Sequence, residues 1–189
     1  MDILNEKKIL LGISGSIAAY KIPFLIRLLR KENAEIKVII TEFARNLVTP
    51  LTLATLSKNP VYSSFFDTKT GQWNSHIDLA SWADLFLVAP ASANTLAKMA
   101  YGIADNLLIT TYLAAKSTIM IAPAMDVDMY NHPATQNNLE ILKSRKNHIV
   151  LDTEEGELAS GLTGKGRMPE PEKILQNIIQ FFQKKNIKR

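Results

Sequence analysis

The chain has 189 residues, of which 47% are hydrophobic and 21% charged, and 22 Lys and Arg residues against 18 Asp and Glu residues give a net charge of +4. Domains usually have about 100 to 200 residues, so we expect one domain over residues 1–189. There is no cysteine, which excludes disulfides, thiolate metal sites and a cysteine nucleophile.

Basic residues are spread along the chain except in the closing segment 184–189, which we interpret as solubilising. Nucleic-acid binding requires a basic patch, usually with interleaved aromatic residues, and only this segment comes close. The longest apolar runs, 85–89 and 119–122, are far shorter than the roughly 20 residues of a transmembrane helix. The N-terminal residues also lack the apolar stretch of a signal peptide. We therefore expect a cytoplasmic protein that binds neither nucleic acid nor membranes.

Five short apolar runs predict buried strands, because a strand covered on both faces of a parallel sheet forms a continuous apolar segment. They are residues 9–13, 36–40, 85–89, 118–122 and 148–151. Segments with helical spacing alternate with them, and these are residues 17–29, 92–101, 106–115, 131–143 and 171–184. The alternation predicts an α/β fold, with helices on both sides of a mostly parallel, doubly wound sheet.

Residues 152–170 form a glycine-rich, polar segment without periodicity. Irregular segments of this length are more often lids or binding loops than simple connections. We therefore predict a flap at about residues 152–170.

The loop after the first predicted strand contains Gly12, Gly15 and Ser16. Ligands of doubly wound sheets bind at the carboxyl ends of strands, and glycine there lets the backbone approach a phosphate. The loop lacks the third glycine of the dinucleotide fingerprint and the Gly-Lys-Ser/Thr of a nucleotide P-loop, so a mononucleotide fits better than NAD or ATP. The alternative is a tight turn in which Ser16 only caps the following helix.

Small polar side chains also follow two other strands. Residues 90–95, Pro-Ala-Ser-Ala-Asn-Thr, start a helix after the third strand, and Thr41 follows the second. We expect two helix N-termini to hold one phosphate at this edge. The loop 123–133 contains two methionines, a tyrosine and two acids, which are poorly explained as core.

The histidines carry weaker signals. A lone histidine such as His76 is more often a surface or satisfied residue than a catalyst, and His132 and His148 have smaller claims. The acidic residues of 154–157 would ordinarily be a solvated run. Without cysteine or a histidine pair at ligand spacing, we expect no metal site.

Four motifs resemble, in order, the homo-oligomeric flavin-containing cysteine decarboxylases. They are residues 15–21, 90–95, 123–130 and 156–168, and the resemblance extends over about residues 7–182. It implies a flavodoxin-like or Rossmann-like three-layer α/β/α fold, with FMN at a subunit interface of a homotrimer that often assembles into a homododecamer. Family members that act on 4'-phosphopantothenoylcysteine match best, so the implied activity is its FMN-dependent decarboxylation to 4'-phosphopantetheine in coenzyme A biosynthesis.

In this family FMN accepts a hydride while the substrate thiol is oxidised to a thioaldehyde, CO2 is lost, and the ene-thiolate is then reduced. The resemblance assigns catalysis to His76, as the base, and to Ser160. It assigns FMN binding to Gly15, Ser16, Ile17, Thr41, Phe43, Ser92, Asn94, Thr95 and Met125. It assigns substrate binding to Asp126, Met129, Ala159, Gly161, Lys165, Arg167 and Met168.

Two of these residues depart from the family pattern. Asp126 replaces an asparagine that binds the substrate carboxylate, and two carboxylates would repel unless one is protonated or Asp126 accepts from a substrate amide. Ser160 replaces a cysteine linked to the final protonation, and a hydroxyl is a far weaker acid than a thiol. Either water or another group supplies that proton, or the reaction stops at the ene-thiol.

Three other interpretations remain open. A peptidyl-cysteine oxidative decarboxylase of the lantibiotic type would tolerate Ser160, although the cations of residues 164–168 favour a phosphorylated substrate. The prenylated-flavin synthases share the fold, but the segments around His76 and 159–161 fit the cysteine decarboxylases better. A non-catalytic FMN-binding regulatory subunit would depend on extra tails and on the loss of active-site groups, whereas His76 is present.

Overall fold

A computed structural model describes residues 3–67 and 69–187, apart from the side chain of Asn186. Its centre is a six-stranded parallel sheet in the order β3-β2-β1-β4-β5-β6. The strands are β1 Lys8–Ile13, β2 Glu35–Ile40, β3 Val61–Tyr62, β4 Leu85–Ala91, β5 Thr118–Pro123 and β6 His148–Val150. The chain builds one half of the sheet outward from β1 and the other outward from β4. The loops after these two adjacent strands therefore flank the crevice where such folds bind ligands.

The sheet is buried on both faces, as its apolar runs predict. In β1, Ile9 and Leu11 belong to one apolar cluster, and Leu10 belongs to a second cluster on the other face. Helices α1 and α8 contribute to the first cluster, whereas α4 and α5 contribute to the second. The three-layer, doubly wound prediction is confirmed.

Eight α-helices lie within the described residues. They are α1 Ile22–Lys31, α2 Pro50–Ser57, α3 His76–Trp82, α4 Ala93–Tyr101, α5 Leu107–Ala114, α6 Val127–Asn131, α7 Pro133–Ser144 and α8 Pro171–Ile187. A 3-10 helix, Ile17–Lys21, leads into α1, and another, Phe43–Asn46, follows β2. The helix predicted at 131–143 corresponds to α7, which begins at Pro133 rather than at residue 131. The short helix α6 before it was not predicted.

The flap is more regular than its sequence predicts. Its residues form an antiparallel hairpin of β7 Glu154–Glu157 and β8 Thr163–Arg167, so the prediction of an irregular segment is wrong. The hairpin pairs Glu154 with Arg167 and Glu155 with Lys165, and opposite charges across strands stabilise such pairs. The segment lacks apolar alternation, which is why its periodicity predicts no strand.

Within residues 3–67 and 69–187, no helix has the length and apolar character needed to cross a membrane. Lys184 and Lys185 lie in the last turn of α8. The remaining basic residues of the predicted solubilising tail, Lys188 and Arg189, lie outside the described residues.

Candidate functional site

A cavity of about 570 Å³ lies between the carboxyl ends of the central strands and the β7–β8 hairpin. Its walls come from the turns after β1 and β4, from the loop after β5 with α6, and from the hairpin. The lining residues are Gly15, Ser16, Ile17, Ala18, Tyr20, Lys21, Ser92, Ala93, Ala124, Met125, Asp126, Met129, Glu157, Leu158, Ala159, Gly166, Arg167 and Met168.

The turns after β1 and β4 are joined by one buried side chain, Ser14, which is 1% exposed. Its hydroxyl donates to the carbonyl oxygen of Pro90 at 2.7 Å and accepts from the backbone N–H of Ser92 at 2.9 Å. Ser14 also donates its own backbone N–H to Pro90. The two turns therefore form a single rigid unit, which we call the cradle, residues 14–18 and 90–95.

Each half of the cradle begins a helix. Ser16 accepts from the N–H of Ala18 at 3.4 Å, and Ser92 accepts from the N–H of Thr95 at 3.3 Å. Both serines therefore cap helices, and both also line the cavity. Amide groups at helix N-termini attract anions, so this end of the cavity favours a phosphate.

Thr41 and Phe43 lie beside the first half of the cradle. The N–H of Thr41 donates to the carbonyl of Ile13 at 2.9 Å, and its hydroxyl is buried with no hydrogen-bond partner among the described residues. Gly15 is in close contact with Phe43, because a Cβ on Gly15 would lie 2.5 Å from the Phe43 ring. A buried, unpaired hydroxyl is rare without a ligand or water to satisfy it.

The base of the hairpin is anchored by two salt bridges at the edge of the cavity. Lys21 is 5% exposed, and its ammonium donates to Glu170 at 2.8 Å and to the carbonyl of Met168 at 3.3 Å. Arg167 also donates to Glu170, at 2.7 Å. The hydrogen bond from Lys21, supported by Arg167, lowers the pKa of Glu170. The sequence does not reveal that Lys21 anchors the hairpin, because its spacing is that of the polar face of the predicted helix 17–29.

Backbone contacts hold the hairpin against the loop after β5. The N–H of Met125 donates to the carbonyl of Gly166 at 3.0 Å. Gly166 has φ +136°, and a Cβ there would lie 2.4 Å from the carbonyl oxygen of Met125. A Cβ on Gly164 would lie 2.6 Å from the Val127 side chain. Only glycine permits this close approach.

The tip of the hairpin reaches the cavity through Ser160 and Asp126. Asp126 caps α6, and one carboxylate oxygen accepts from the N–H of Asp128 at 3.4 Å. The other carboxylate oxygen accepts a hydrogen bond from the Ser160 hydroxyl. Asp126 has no salt bridge among the described residues. The two residues that depart from the family pattern are therefore in direct contact.

His76 is the first residue of α3 and lies outside the cavity lining of this chain. Its Nδ1 atom is buried with no partner among the described residues, and its ring packs edge-on against Phe65, with centroids 6.5 Å apart. Large apolar side chains nearby are exposed, among them Trp73 at 59% and Ile77 at 61%. The histidine thus lies beside an apolar surface.

The other histidines have structural partners. His132 accepts from the N–H of Ala134 at the start of α7. His148 Nε2 lies 2.8 Å from the Tyr112 hydroxyl, and Arg145 donates to that hydroxyl. Burial, with a smaller effect of the Arg145 charge, lowers the pKa of His148 to about 4. Among the residues that the structure describes, no three His, Cys, Asp or Glu side chains form a group able to hold a metal.

The structure gathers most of the predicted site residues at one place. The cavity lining includes Gly15, Ser16, Ile17, Ser92, Met125, Asp126, Met129, Ala159, Arg167 and Met168. The lining does not include Thr41, Phe43, Asn94, Thr95, His76, Ser160, Gly161 or Lys165. Thr95 and Ser160 still contact lining residues, through Ser92 and Asp126 respectively.

A doubly wound, flavodoxin-like α/β fold with a cradle at its strand ends and a hairpin flap defines a mononucleotide-binding class of protein. The profile of the Flavoprotein family matches residues 2–183. The chain belongs to this family.

Two curated relatives and one solved structure show which members are similar. A cysteine/cysteine sulfinic acid decarboxylase of an unknown prokaryotic organism is 65% identical over 141 residues, which cover 75% of this chain and 39% of that protein. The coenzyme A biosynthesis bifunctional protein CoaBC of Bacillus subtilis (strain 168) is 47% identical, over 95% of this chain and 44% of that protein. The chain thus spans less than half the length of these relatives.

A solved structure has the same fold over nearly the whole chain. It is a cysteine-to-serine mutant of PPC decarboxylase complexed with pantothenoylaminoethenethiol, 32% identical with a TM-score of 0.83. The match covers 95% of this chain and 100% of the solved one.

Proposed function

We propose that the chain is an FMN-dependent decarboxylase of a cysteine carboxyl group, with 4'-phosphopantothenoylcysteine as the first candidate substrate and 4'-phosphopantetheine as its product. The observation that carries the proposal is the cavity between the cradle and the hairpin, which brings together ten of the predicted site residues. The CoaBC relative and the solved PPC decarboxylase, both matched over 95% of this chain, support the substrate.

The residues present fit FMN. The cradle offers capped helix N-termini at Ser16 and Ser92 for the phosphate, and Thr41 offers a buried hydroxyl without a partner. Phe43 and Met125 provide apolar surface at the edge of this region. FMN, when bound, supplies a group that accepts two electrons and returns them.

The hairpin is suited to cover a substrate. Leu158 and Ala159 line the cavity from above, so a docked hairpin excludes water from the reacting atoms. Arg167 lines the cavity, whereas Lys165 is exposed and without a salt bridge in the described chain. These two cations are the groups that we assign to the phosphate of the substrate.

We further propose that the site is completed by a second copy of the chain in a homo-oligomer. His76 lies outside the cavity of its own chain, at an exposed apolar surface that includes Phe66, Trp73 and Ile77. The cavity mouth has its own exposed apolar residues, Tyr20 at 54% and Met129 at 50%. Contact between these surfaces in a trimer would cover both and bring His76 to the cavity of its neighbour, where it acts as the base.

Ser160 determines how far the reaction proceeds. Its hydroxyl donates to Asp126 and is a poor acid, so we expect the final reduction and protonation to be slow. The solved relative, in which a serine replaces a cysteine, holds an ene-thiol. An ene-thiol is the compound left when CO2 and two hydrogens have been lost.

A second candidate function is decarboxylation of cysteine or cysteine sulfinic acid. It is favoured by the relative of that name, which has the highest identity of the three, 65%. Cysteine and 4'-phosphopantothenoylcysteine carry the same thiol and carboxyl group and differ in what is attached to the nitrogen, so they can share the cavity. Cysteine sulfinic acid has no thiol, so the thiol oxidation proposed above applies to cysteine only.

The first test is mass spectrometry of the product formed from 4'-phosphopantothenoylcysteine by the FMN-loaded protein. We expect the wild type in air to give mainly the ene-thiol, with dioxygen reoxidising the FMN that has accepted two electrons, and Ser160→Cys to shift the product toward loss of CO2 alone. No decarboxylated product from the FMN-loaded wild type would contradict this substrate. Mixing His76→Asn with Gly166→Ala protein tests the composite site, since two impaired variants should restore about a quarter of the activity only if one site uses both chains.

A further inference from the structure

We propose that Asp126, held by Ser160, binds the α-ammonium group of an unacylated cysteine, so that free cysteine is a better substrate than a cysteine whose nitrogen is in an amide bond. This inference rests on the proposed FMN-dependent decarboxylation and names the residue that selects its substrate class. Of the two candidate substrates given above, it favours the second, cysteine, over the first. Acylation state, rather than the thiol or the carboxylate, is what the site distinguishes.

The charges of the cavity favour a cationic ligand at Asp126. Its two lining cations, Lys21 and Arg167, both pair with the single carboxylate of Glu170. The carboxylate of Asp126 has only hydroxyl and backbone N–H donors among the described residues. A partly buried carboxylate without a cation gains from a cationic ligand, and the ammonium of an amino acid is such a ligand.

The direction of the Ser160 hydrogen bond also favours an ammonium group. The hydroxyl donates to Asp126, which orients the carboxylate. The Ser160 oxygen accepts from the N–H of Leu162 at 3.4 Å, which leaves its second lone pair to accept from a ligand. An ammonium has three donors, whereas the nitrogen of an acylated cysteine has one and no charge. The Asp126–Ser160 pair can therefore satisfy an ammonium better than an amide.

The charge of Asp126 also determines where the substrate carboxylate can lie. Asp126 would repel that carboxylate, whereas the cradle and Arg167 line other parts of the same cavity. An amino acid has opposite charges on one carbon, so an ammonium at Asp126 turns its carboxylate away from Asp126. This orientation removes the repulsion that Asp126 would cause in the position of a carboxylate-binding asparagine.

The experiment compares cysteine, N-acetylcysteine and 4'-phosphopantothenoylcysteine with the FMN-loaded wild type, Asp126→Asn and Asp128→Asn. Asp128 is a matched control, since it is an exposed acid on the same helix that does not line the cavity. Asp126→Asn should lower kcat/KM for cysteine about 10- to 100-fold, mainly through KM, the loss expected for a charge-assisted hydrogen bond. Its effect on the two acylated substrates should be smaller, so the preference for cysteine over N-acetylcysteine should fall about tenfold or more. Asp128→Asn should leave that preference as it is in the wild type.

Binding without turnover gives the second readout. Calorimetry should show that wild-type protein binds S-methylcysteine more tightly than N-acetyl-S-methylcysteine, and that Asp126→Asn abolishes the difference. Preference of the wild type for acylated cysteine, or an equal loss for both substrate classes in Asp126→Asn, would overturn the inference while leaving the decarboxylase intact. Failure of FMN-loaded protein to release CO2 from any of the three compounds would instead contradict the proposed function itself.

Discussion

The cradle and the hairpin form opposite walls of one cavity but are stabilised in different ways. The cradle is held by the buried side chain of Ser14 and by backbone groups at the ends of β1 and β4. The hairpin is held at its base by Lys21, Arg167 and Glu170, and at its tip by polar contact between exposed Ser160 and Asp126. In the proposed function, this difference suits a cradle that holds the cofactor and a hairpin that covers the substrate.

Such a division explains where the departures from the family pattern occur. Asp126 lies in the loop after β5 and Ser160 at the tip of the hairpin. Both lie on the side of the cavity assigned to the substrate, and they contact each other. Of the cradle residues that the resemblance assigns to FMN, Gly15, Ser16, Ile17 and Ser92 line the same cavity. A change of substrate is then compatible with retention of the cofactor.

The largest expected effect comes from detaching the hairpin. Gly166→Ala places a Cβ 2.4 Å from the carbonyl oxygen of Met125, at φ +136°, so we expect the hairpin to leave its docked position at a cost of about 3 kcal/mol. Steady-state kinetics should show kcat/KM reduced about 100-fold, with FMN retained and the thermal midpoint of the sheet nearly unchanged.

The matched control for this variant is Gly71→Ala. Gly71 has φ +71°, but a Cβ there meets nothing within 4 Å. It carries backbone strain without a steric clash at the hairpin, and activity should be close to that of the wild type. Equal losses in both variants would show that backbone strain, rather than hairpin docking, is responsible.

A smaller effect, on the opposite wall, is expected for Ser14→Ala. The substitution removes a buried hydroxyl that accepts from Ser92 and donates to Pro90. We expect a cost of about 2 kcal/mol, because the N–H of Ser92 loses its partner, whereas the carbonyl of Pro90 keeps the backbone N–H of residue 14. The thermal midpoint should fall by about 5 °C for a chain of this size, and FMN should dissociate more readily. Ser81→Ala, which removes an exposed hydroxyl bonded to the carbonyl of Asp78, serves as the control.

Acid should destabilise the sheet before it loosens the hairpin. The pKa of His148 is lowered from 6.5 to about 4 in the folded chain, so the unfolded chain takes up the proton first, and the free energy of unfolding falls as the pH decreases from 6.5 to about 4. Because the ring is only partly buried, we expect a loss of about 1 to 2 kcal/mol across this range. Glu170 has its pKa lowered below 4.5 by Lys21 and Arg167, so its contribution at the hairpin is lost only below that pH.

Denaturant unfolding at several pH values measures the first effect, and His148→Gln should flatten the dependence between pH 6.5 and 4.5. Hydrogen exchange of the hairpin amides measures the second. Loosening of the hairpin before the sheet loses stability would contradict this order.

Most of the fold could be predicted from the sequence because its central strands are continuous apolar runs. The predicted strand at 85–89 corresponds to β4, whose residues are all buried. The shortest elements could not be predicted in the same way. β3 has only two residues, and α3 has only two buried residues, so neither shows a clear period. Thr49 before Pro50 is a helix-start signal that would have indicated α2.

The site was predictable where it depends on local motifs and not where it depends on pairing across the fold. The turns containing Ser16 and Ser92 follow apolar strands, so their place at one sheet edge follows from parallel topology. Lys21 and Glu170 are separated by 149 positions, and no local pattern reveals their ion pair. The contact between Ser160 and Asp126 depends in the same way on the docking of the hairpin.

The most direct test of the account is release of labelled CO2 from carboxyl-labelled cysteine and carboxyl-labelled 4'-phosphopantothenoylcysteine by protein with one FMN per chain. The proposed decarboxylation predicts labelled CO2 from at least one of them. The release should depend on FMN and should be reduced about 100-fold by Gly166→Ala, as expected when a docked lid is lost. Protein that holds a full complement of FMN yet releases no labelled CO2 from either compound would contradict it.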